Sequence, residues 1–249
     1  MFDDKEIEFW EEQYLNQIEY LLKMDIKKMF DGFATKEKIR EDWEKYLGDE
    51  TSDFATGSER IFYWLFNQFG MPNSSPIGSD MFFETYNAYV HIDIKTVTLS
   101  NIGDFKRNIF VGDNQNSYKG TINVRGKEGR PYKGNLPTYY TMKNGSNIIG
   151  HKMCLTYFIV ILYNETNLDI QNITILSMPN GQLSDIYGDS IIAAGKNKGK
   201  IRYNYTQATK FKLLENNPSR IKILYWNSNI EEKIKESISV LTDIYTNGN

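Results

Sequence analysis

The apolar run from Met153 through Cys154-Leu155-Thr156-Tyr157-Phe158-Ile159-Val160-Ile161-Leu162 to Tyr163 constrains the fold more than any other stretch. It carries no charge, is rich in β-branched and aromatic residues, and is shorter than the roughly 18 apolar residues a membrane helix needs. It therefore predicts a long central strand. A polar turn containing Asn164 and Asn167 leads to a second apolar strand, Asn172 to Met178. Both strands need helices packed on them, and a chain of 249 residues, 40% hydrophobic and 14% aromatic, is long enough to bury a substantial core. The single cysteine, Cys154, lies inside this run, where a buried free thiol is its ordinary role and no intrachain disulfide can form.

The helices are legible from spacing. Ile7, Trp10, Tyr14, Ile18, Leu21 and Leu22 recur at the helical period, which predicts an amphipathic helix from Asp4 to about Asp31 with Gly32 as its stop. Thr35-Lys36-Glu37-Lys38 opens a shorter helix through Trp43 and Leu47 to Gly48. After a polar linker from Asp49 to Gly57, Ser58-Glu59 begins a third helix. Its run Ile61 to Phe66 is nearly continuous in apolar residues, so it is expected to be buried more completely than the first two. Ile201–Tyr205 and Ala208–Leu213 predict a hairpin, Ile221–Trp226 a last strand, and Glu231 to about Tyr245 a closing amphipathic helix. The fold class is thus α/β (α+β): a mixed β-sheet core flanked by helices, with an N-terminal helical section over 1–56 and the core over 57–249. The acidic start Met1-Phe2-Asp3-Asp4-Lys5-Glu6 lacks the basic and apolar regions of a signal peptide, so a soluble, cytoplasmic protein is expected.

Charge is distributed unevenly. Residues 1–60 hold 9 basic and 17 acidic side chains, whereas residues 95–152 hold 10 against 3 and residues 196–222 hold 8 against 1. Two basic segments flank the strand-rich middle, as a polyanion groove requires, although solvated loops on an ordinary surface produce the same count. The region from Thr98 to Gly150 is a long polar excursion of the kind that usually carries function. In it, Lys106, Arg107, Lys119, Arg125, Lys127, Arg130 and Lys133 suit phosphates, and Asn114, Gln115 and Asn116 suit base edges. The second basic segment adds Lys198, Lys200, Arg202 and Lys210.

Between these segments lies the stretch with the most chemistry. In Val90-His91-Ile92-Asp93-Ile94-Lys95-Thr96 the β-branched residues alternate with polar ones, which predicts a strand with Asp93 and Lys95 on the same face. Met81 to Tyr86 is also strand-like, and a turn at Asn87-Ala88 closes a hairpin that sets Asp80 roughly opposite Lys95. An even-length turn puts Asp80 on the polar face too. Two aspartates on neighbouring strands form half of a site for a hard divalent cation such as Mg²⁺, with the Ile94 carbonyl as a third candidate ligand. Lys95, two residues on, is close enough to orient an attacking water or stabilise charge at phosphorus.

This arrangement resembles the PD-(D/E)XK nuclease superfamily, and the Ile92-Asp93-Ile94-Lys95-Thr96 run looks most like type II restriction endonucleases. The resemblance implies a restriction-endonuclease-like core, Asp80 and Asp93 as metal ligands, Lys95 as the catalytic lysine, Mg²⁺ as cofactor and duplex DNA as substrate. Cutting both strands implies a homodimer. Those enzymes often place a glutamate on a helix before the hairpin, where this chain has Glu59; where they have a proline before the first aspartate, it has Ser79. Other readings of the same residues stand beside this one. A plain ion pair explains Asp93 and Lys95, a first-turn acid complementing a helix dipole explains Glu59, and His91 suits an ordinary strand position better than a general base. At the level of function, the alternatives are a structure-selective repair or recombination nuclease and a non-catalytic DNA-binding protein.

Overall fold

The computed structural model describes residues 1–34, 53–67, 79–102, 108–115, 119–124, 127–180, 191–193, 200–204 and 220–248. The helix predicted from Thr35 to Gly48 and the strand predicted at Ala208–Leu213 lie outside them. Three helices precede the first strand: α1 (Asp4–Met24), α2 (Ile26–Ala34) and α3 (Asp53–Phe66). The chain then forms β1 (Met81–Glu84), β2 (Ala88–Thr98), β3 (Asn108–Gly112), β4 (Lys119–Val124), β5 (Lys127–Lys133), β6 (Tyr139–Asn144), β7 (Asn147–Tyr163) and β8 (Ile170–Met178). Two strands, β9 (Ile191–Ala193) and β10 (Lys200–Asn204), lead to β11 (Ile221–Trp226) and the closing helices α4 (Glu232–Ser237) and α5 (Ser239–Gly248).

The core is a six-stranded mixed sheet in the order β1-β2-β7-β8-β11, with β6 also paired to β7. Strand β7 is its axis. Over Met153 to Tyr163 it pairs in parallel with β2, and from Thr156 onward it also pairs antiparallel with β8. Alternate residues of these strands point to opposite faces, and both faces are apolar and covered. On one face Ile92 and Ile94 of β2 and Tyr157, Ile159 and Ile161 of β7 meet Leu15, Ile18 and Leu22 of α1 and Phe62 and Leu65 of α3. On the other, Phe158, Val160 and Leu162 meet Val111, Ile122 and Tyr132 from the polar excursion, Ile238 from the joint between the C-terminal helices and Leu241 of α5. The apolar residues of β2 thus face α1–α3 as their alternation predicts. The opposite face of β2 is not open to solvent, since His91 and Asp93 are buried within it. No described helix is long and apolar enough to cross a membrane.

Several boundaries differ from the sequence reading, each for a local reason. The first predicted helix is broken at Asp25, whose backbone leaves the helical region (φ −108°, ψ 19°). Its carbonyl then accepts from Met29 N–H, and its carboxylate pairs with Lys28 at 2.6 Å, so the same residue starts α2. Helix α3 begins at Asp53, inside the predicted linker, because Phe54 is anchored by stacking on Phe33 and Tyr163 at centroid distances of 5.8 and 3.8 Å. That anchoring outweighs the helix penalty of Gly57, about 1 kcal/mol. Nor is α3 buried all round: Tyr63 and Trp64 are exposed while Ile61, Phe62, Leu65 and Phe66 are buried. The closing helix divides at Ile238, and β10 pairs antiparallel with β3 and with β9.

Strand β7 begins six residues before the apolar run does, in a hairpin with β6 closed at Gly145. Gly145 has φ +60°, a left-handed conformation that costs a side-chain-bearing residue and that glycine adopts freely.

Candidate active site

The hairpin β1–β2 builds the site. Its register pairs Met81 with Ile92 and Glu84 with Tyr89, leaving a turn at Thr85-Tyr86-Asn87. Within the turn Thr85 N–H donates to the Ala88 carbonyl at 2.8 Å. Tyr14 of α1 donates its hydroxyl hydrogen to Asn87 Oδ1 at 2.6 Å, and its oxygen lies 2.7 Å from Thr85 Oγ1. Met153 N–H donates to the Asn87 carbonyl at 2.9 Å. The turn is therefore held by both the helical layer and the axial strand. Continued back one residue, this register sets Asp80 beside Asp93, two residues from the expected position opposite Lys95, but on the expected face.

Asp80 precedes β1, and its Oδ2 accepts the Ile94 N–H at 2.6 Å. That bond draws the carboxylate against the centre of the Asp93-Ile94-Lys95 run. Ser79 Oγ–H donates to the Met81 carbonyl at 2.9 Å, fixing the approach to Asp80. Asp93 is buried, and its two oxygens have different partners. Oδ1 accepts Gln115 Nε2–H at 2.9 Å, whereas Oδ2 forms an ion pair with Lys95 Nζ. The Lys95 ammonium also lies 5.5 Å from the centre of the Phe158 ring. Its side chain keeps 23% of its surface exposed, so the cation sits at the rim of the site rather than inside the core.

Glu59 on α3 is exposed at the surface and lies within electrostatic reach of Asp80 and Lys95. Partial burial pushes its carboxyl above the ordinary range, the negative charge of Asp80 pushes it further the same way, and Lys95 pulls it back. Its electrostatic neighbours are therefore the expected catalytic residues. His91 takes an ordinary strand position: it is fully buried, its Nδ1 contacts the Leu155 carbonyl at 3.1 Å, and burial holds the imidazole below its usual pKa.

Among the described residues no three His, Cys, Asp or Glu side chains form a ready-made metal cage. The site still suits a hard cation. Its donors are carboxylate oxygens, and Asp93 Oδ2 is a buried oxygen whose neighbour is the Lys95 ammonium at the rim, with no other hydrogen-bond donor on it among the described residues. A cation bound through two carboxylates, with water and phosphate oxygens completing its shell, needs no more than this from the protein.

Comparison with known proteins decides the family. The family model for the N-terminal domain of the type II restriction enzyme MwoI matches residues 3–167, and the model for that enzyme's central domain matches residues 170–226. The chain belongs to the MwoI family of type II restriction enzymes. No curated protein matches it in a comparison of sequences. Two similar solved structures carry the same fold at low identity. The tetrameric restriction endonuclease SfiI bound to cognate DNA is 15% identical, with a TM-score of 0.62 over 92% of this chain and 88% of that one. The restriction endonuclease BglI bound to its DNA recognition sequence is 14% identical, with a TM-score of 0.62 over 87% of this chain and 90% of that one. The MwoI-family chain is thus a site-specific deoxyribonuclease with the PD-(D/E)XK-like fold.

The basic residues expected to hold DNA are placed unequally. Lys106, Arg107, Asn116, Arg125, Lys198 and Lys210 lie outside the described residues. Lys119 and Lys133 are exposed and face each other across the β4–β5 ribbon, which also carries Lys127 and the half-buried Arg130. Lys200 and Arg202 lie on β10 opposite Gly112 and Phe110. Asn114 is exposed, whereas its neighbour Gln115 is buried and hydrogen-bonded to Asp93.

Part of the basic charge is also consumed internally. Lys152 pairs with Glu84 at 2.6 Å, Arg220 with Glu11 at 2.6 Å, and Lys222 lies 3.7 Å from Glu19. Sequence reasoning missed Gln115 as a partner of Asp93, because their contact joins a short turn to a strand 22 residues away and leaves no local signal.

Proposed function

We propose that this type II restriction endonuclease hydrolyses phosphodiester bonds of double-stranded DNA at a specific sequence in a Mg²⁺-dependent reaction. Asp80, Asp93 and the Ile94 carbonyl would hold the ion, with Lys95 and Glu59 acting beside it. The observation that carries this reading is the closure of Asp80 Oδ2 onto Ile94 N–H at 2.6 Å, which joins both aspartates and Lys95 in one hairpin. Restriction endonucleases of this kind generally use divalent metal ions. When bound, the ion supplies an activated water and charge stabilisation on the phosphate oxygens.

The chain's own residues do the rest. Asp93 orients Lys95 through their ion pair, and the exposed part of that side chain can present its ammonium to a scissile phosphate. Glu59, whose carboxyl is raised by partial burial and by the charge of Asp80, stands within electrostatic reach of the same rim. Lys119, Lys133, Arg130 and the basic segments 98–150 and 195–220 supply phosphate contacts around the duplex. A homodimer gives two such centres, one for each strand. The outward residues of α1, among them Phe9, Tyr20 and Met24, are exposed and offer an apolar surface for it.

The test is digestion of DNA of known sequence with and without Mg²⁺. The expected result is a discrete set of fragments with Mg²⁺ and none when it is chelated. A smear of random lengths, or cuts only at junctions and gaps, would contradict sequence-specific cleavage.

A further inference from the structure

Gln115 lies on a short 3-10 turn, Asp113–Gln115, between β3 and β4, in the region whose polar residues point toward DNA by composition. It is nevertheless 5% exposed. Both ends of its carboxamide are used: Oε1 accepts the Gly112 N–H at 2.9 Å, and Nε2–H donates to Asp93 Oδ1 at 2.9 Å. The first bond decides the second. A backbone N–H can only donate, so it orders the amide with its oxygen toward Gly112 and its NH₂ toward the carboxylate. The turn is itself held in place, since Asn135 N–H donates to the Asp113 carbonyl at 2.6 Å.

A carboxylate free to rotate can present either oxygen, or both, to a cation. With Oδ1 held by a neutral donor, the Asp93 carboxylate is fixed in one orientation, with Oδ2 turned toward Lys95 at the rim. The donor is also uncharged, so it orders the carboxylate without competing with a divalent cation for it. Partners of this sort, which orient a ligand without touching the metal, typically change metal affinity about 10- to 100-fold when removed.

We infer that Gln115 is a positioning residue that reserves Asp93 Oδ2 for the divalent cation and couples it to the β3–β4 turn. This rests on Asp93 being a metal ligand. The same bond links the metal site to a turn whose next side chain, Asn114, is exposed, so a shift of this turn would be transmitted directly to Asp93.

The test uses Gln115→Leu, which keeps most of the volume and removes both hydrogen bonds. A second variant, Gly112→Ala, leaves the glutamine in place and crowds it, because a Cβ at position 112 would lie 3.3 Å from Gln115 Oε1. Mn²⁺ binding to the full chain is titrated by electron paramagnetic resonance, alongside the Mg²⁺ concentration giving half-maximal cleavage and metal-free retention of duplex DNA. Gln115→Leu is expected to weaken Mn²⁺ binding and raise the Mg²⁺ requirement about tenfold or more, with metal-free DNA retention unchanged. Gly112→Ala is expected to shift both in the same direction by less, and it carries the test if Gln115→Leu does not fold.

Unchanged Mn²⁺ affinity in the folded variants, or no saturable Mn²⁺ site in the wild type, would overturn the inference. So would weakened DNA retention with the metal response intact, the behaviour of a base-contacting glutamine. Asp93→Ala separates the two levels. If it keeps the wild-type Mn²⁺ site and cleavage, the assignment of Asp93 as ligand fails; if it loses them while Gln115→Leu does not, the positioning role alone fails.

Discussion

Two buried carboxylates, each paired with a cation, sit on opposite faces of the sheet and are built to different ends. Glu11 of α1 and Arg220 each retain 2% of their side-chain exposure and meet at 2.6 Å. The other oxygen of Glu11 accepts the Asn180 N–H at 2.6 Å, and Tyr157 donates to the Glu11 carbonyl at 3.0 Å. Burial raises the Glu11 carboxyl, and Arg220 and the Asn180 N–H oppose that. Both Glu11 oxygens are thus answered by donors, and the pair fastens the first helix to the far end of the sheet. Asp93 is buried almost as deeply, but the cation paired with its Oδ2 stands at the rim. Both oxygens of Glu11 are taken by donors deep in the core, whereas the Asp93–Lys95 pair reaches the rim, where a third participant can approach it.

Charge removal at constant shape should separate the two pairs most strongly. Glu11→Gln leaves Arg220 buried without a counter-charge and is expected to cost about 3–5 kcal/mol in stability, while cleavage per folded molecule is unchanged. Thermal or urea unfolding with activity normalised to folded protein checks this. A stable Glu11→Gln protein would remove the distinction between the pairs.

A smaller effect is expected at the turn that serves the active side. Tyr14→Phe removes the hydroxyl shared with Asn87 and Thr85 and should cost about 1–3 kcal/mol. Because that turn sets the register delivering Asp80, the variant should also lower cleavage at limiting Mg²⁺. Unaltered stability would show that the helical layer does not brace the hairpin.

The smallest effect concerns the axial strand. Burial pushes the Cys154 thiol up to about 12. It stays protonated in the folded chain at pH values where an exposed thiol, with a pKa near 8.5, has ionised. An acid raised in this way contributes stability that is complete below the unfolded pKa and lost as pH rises toward the folded one. Stability should therefore decline modestly above about pH 8.5. Alkylation of Cys154 by iodoacetamide at neutral pH should follow global unfolding, and rapid modification of the native protein would contradict its burial.

Much of the active side could be read in the chain itself because it is local. Alternation in Val90 to Thr96 reported the strand and its faces, and fourteen positions between Asp80 and Ile94 are few enough for a hairpin to close them. The register was off by two residues because it depends on how many residues the turn keeps out of the ladder, which hydrogen bonds from Tyr14 and Met153 decide. Long-range partners were not legible. Lys152 and Arg220 count as basic surface by composition, yet each meets its carboxylate across 68 and 209 residues respectively. Gln115 looked like a reader of bases for the same reason, since nothing near it in the chain records that β3 and the following turn fold back over Asp93.

The most direct test replaces Asp93 by Asn. The substitution preserves shape, keeps an acceptor for Gln115 and relieves a buried negative charge, while Lys95 is exposed enough to turn to water. Mg²⁺-dependent single-turnover cleavage should fall by at least about a hundredfold, the scale of losing one charge-stabilising group. The folded state should keep the wild-type melting temperature or gain slightly. Cleavage near the wild-type rate, or a loss of stability matching that of Glu11→Gln, would contradict the assignment of the Asp93 pair as the reacting one.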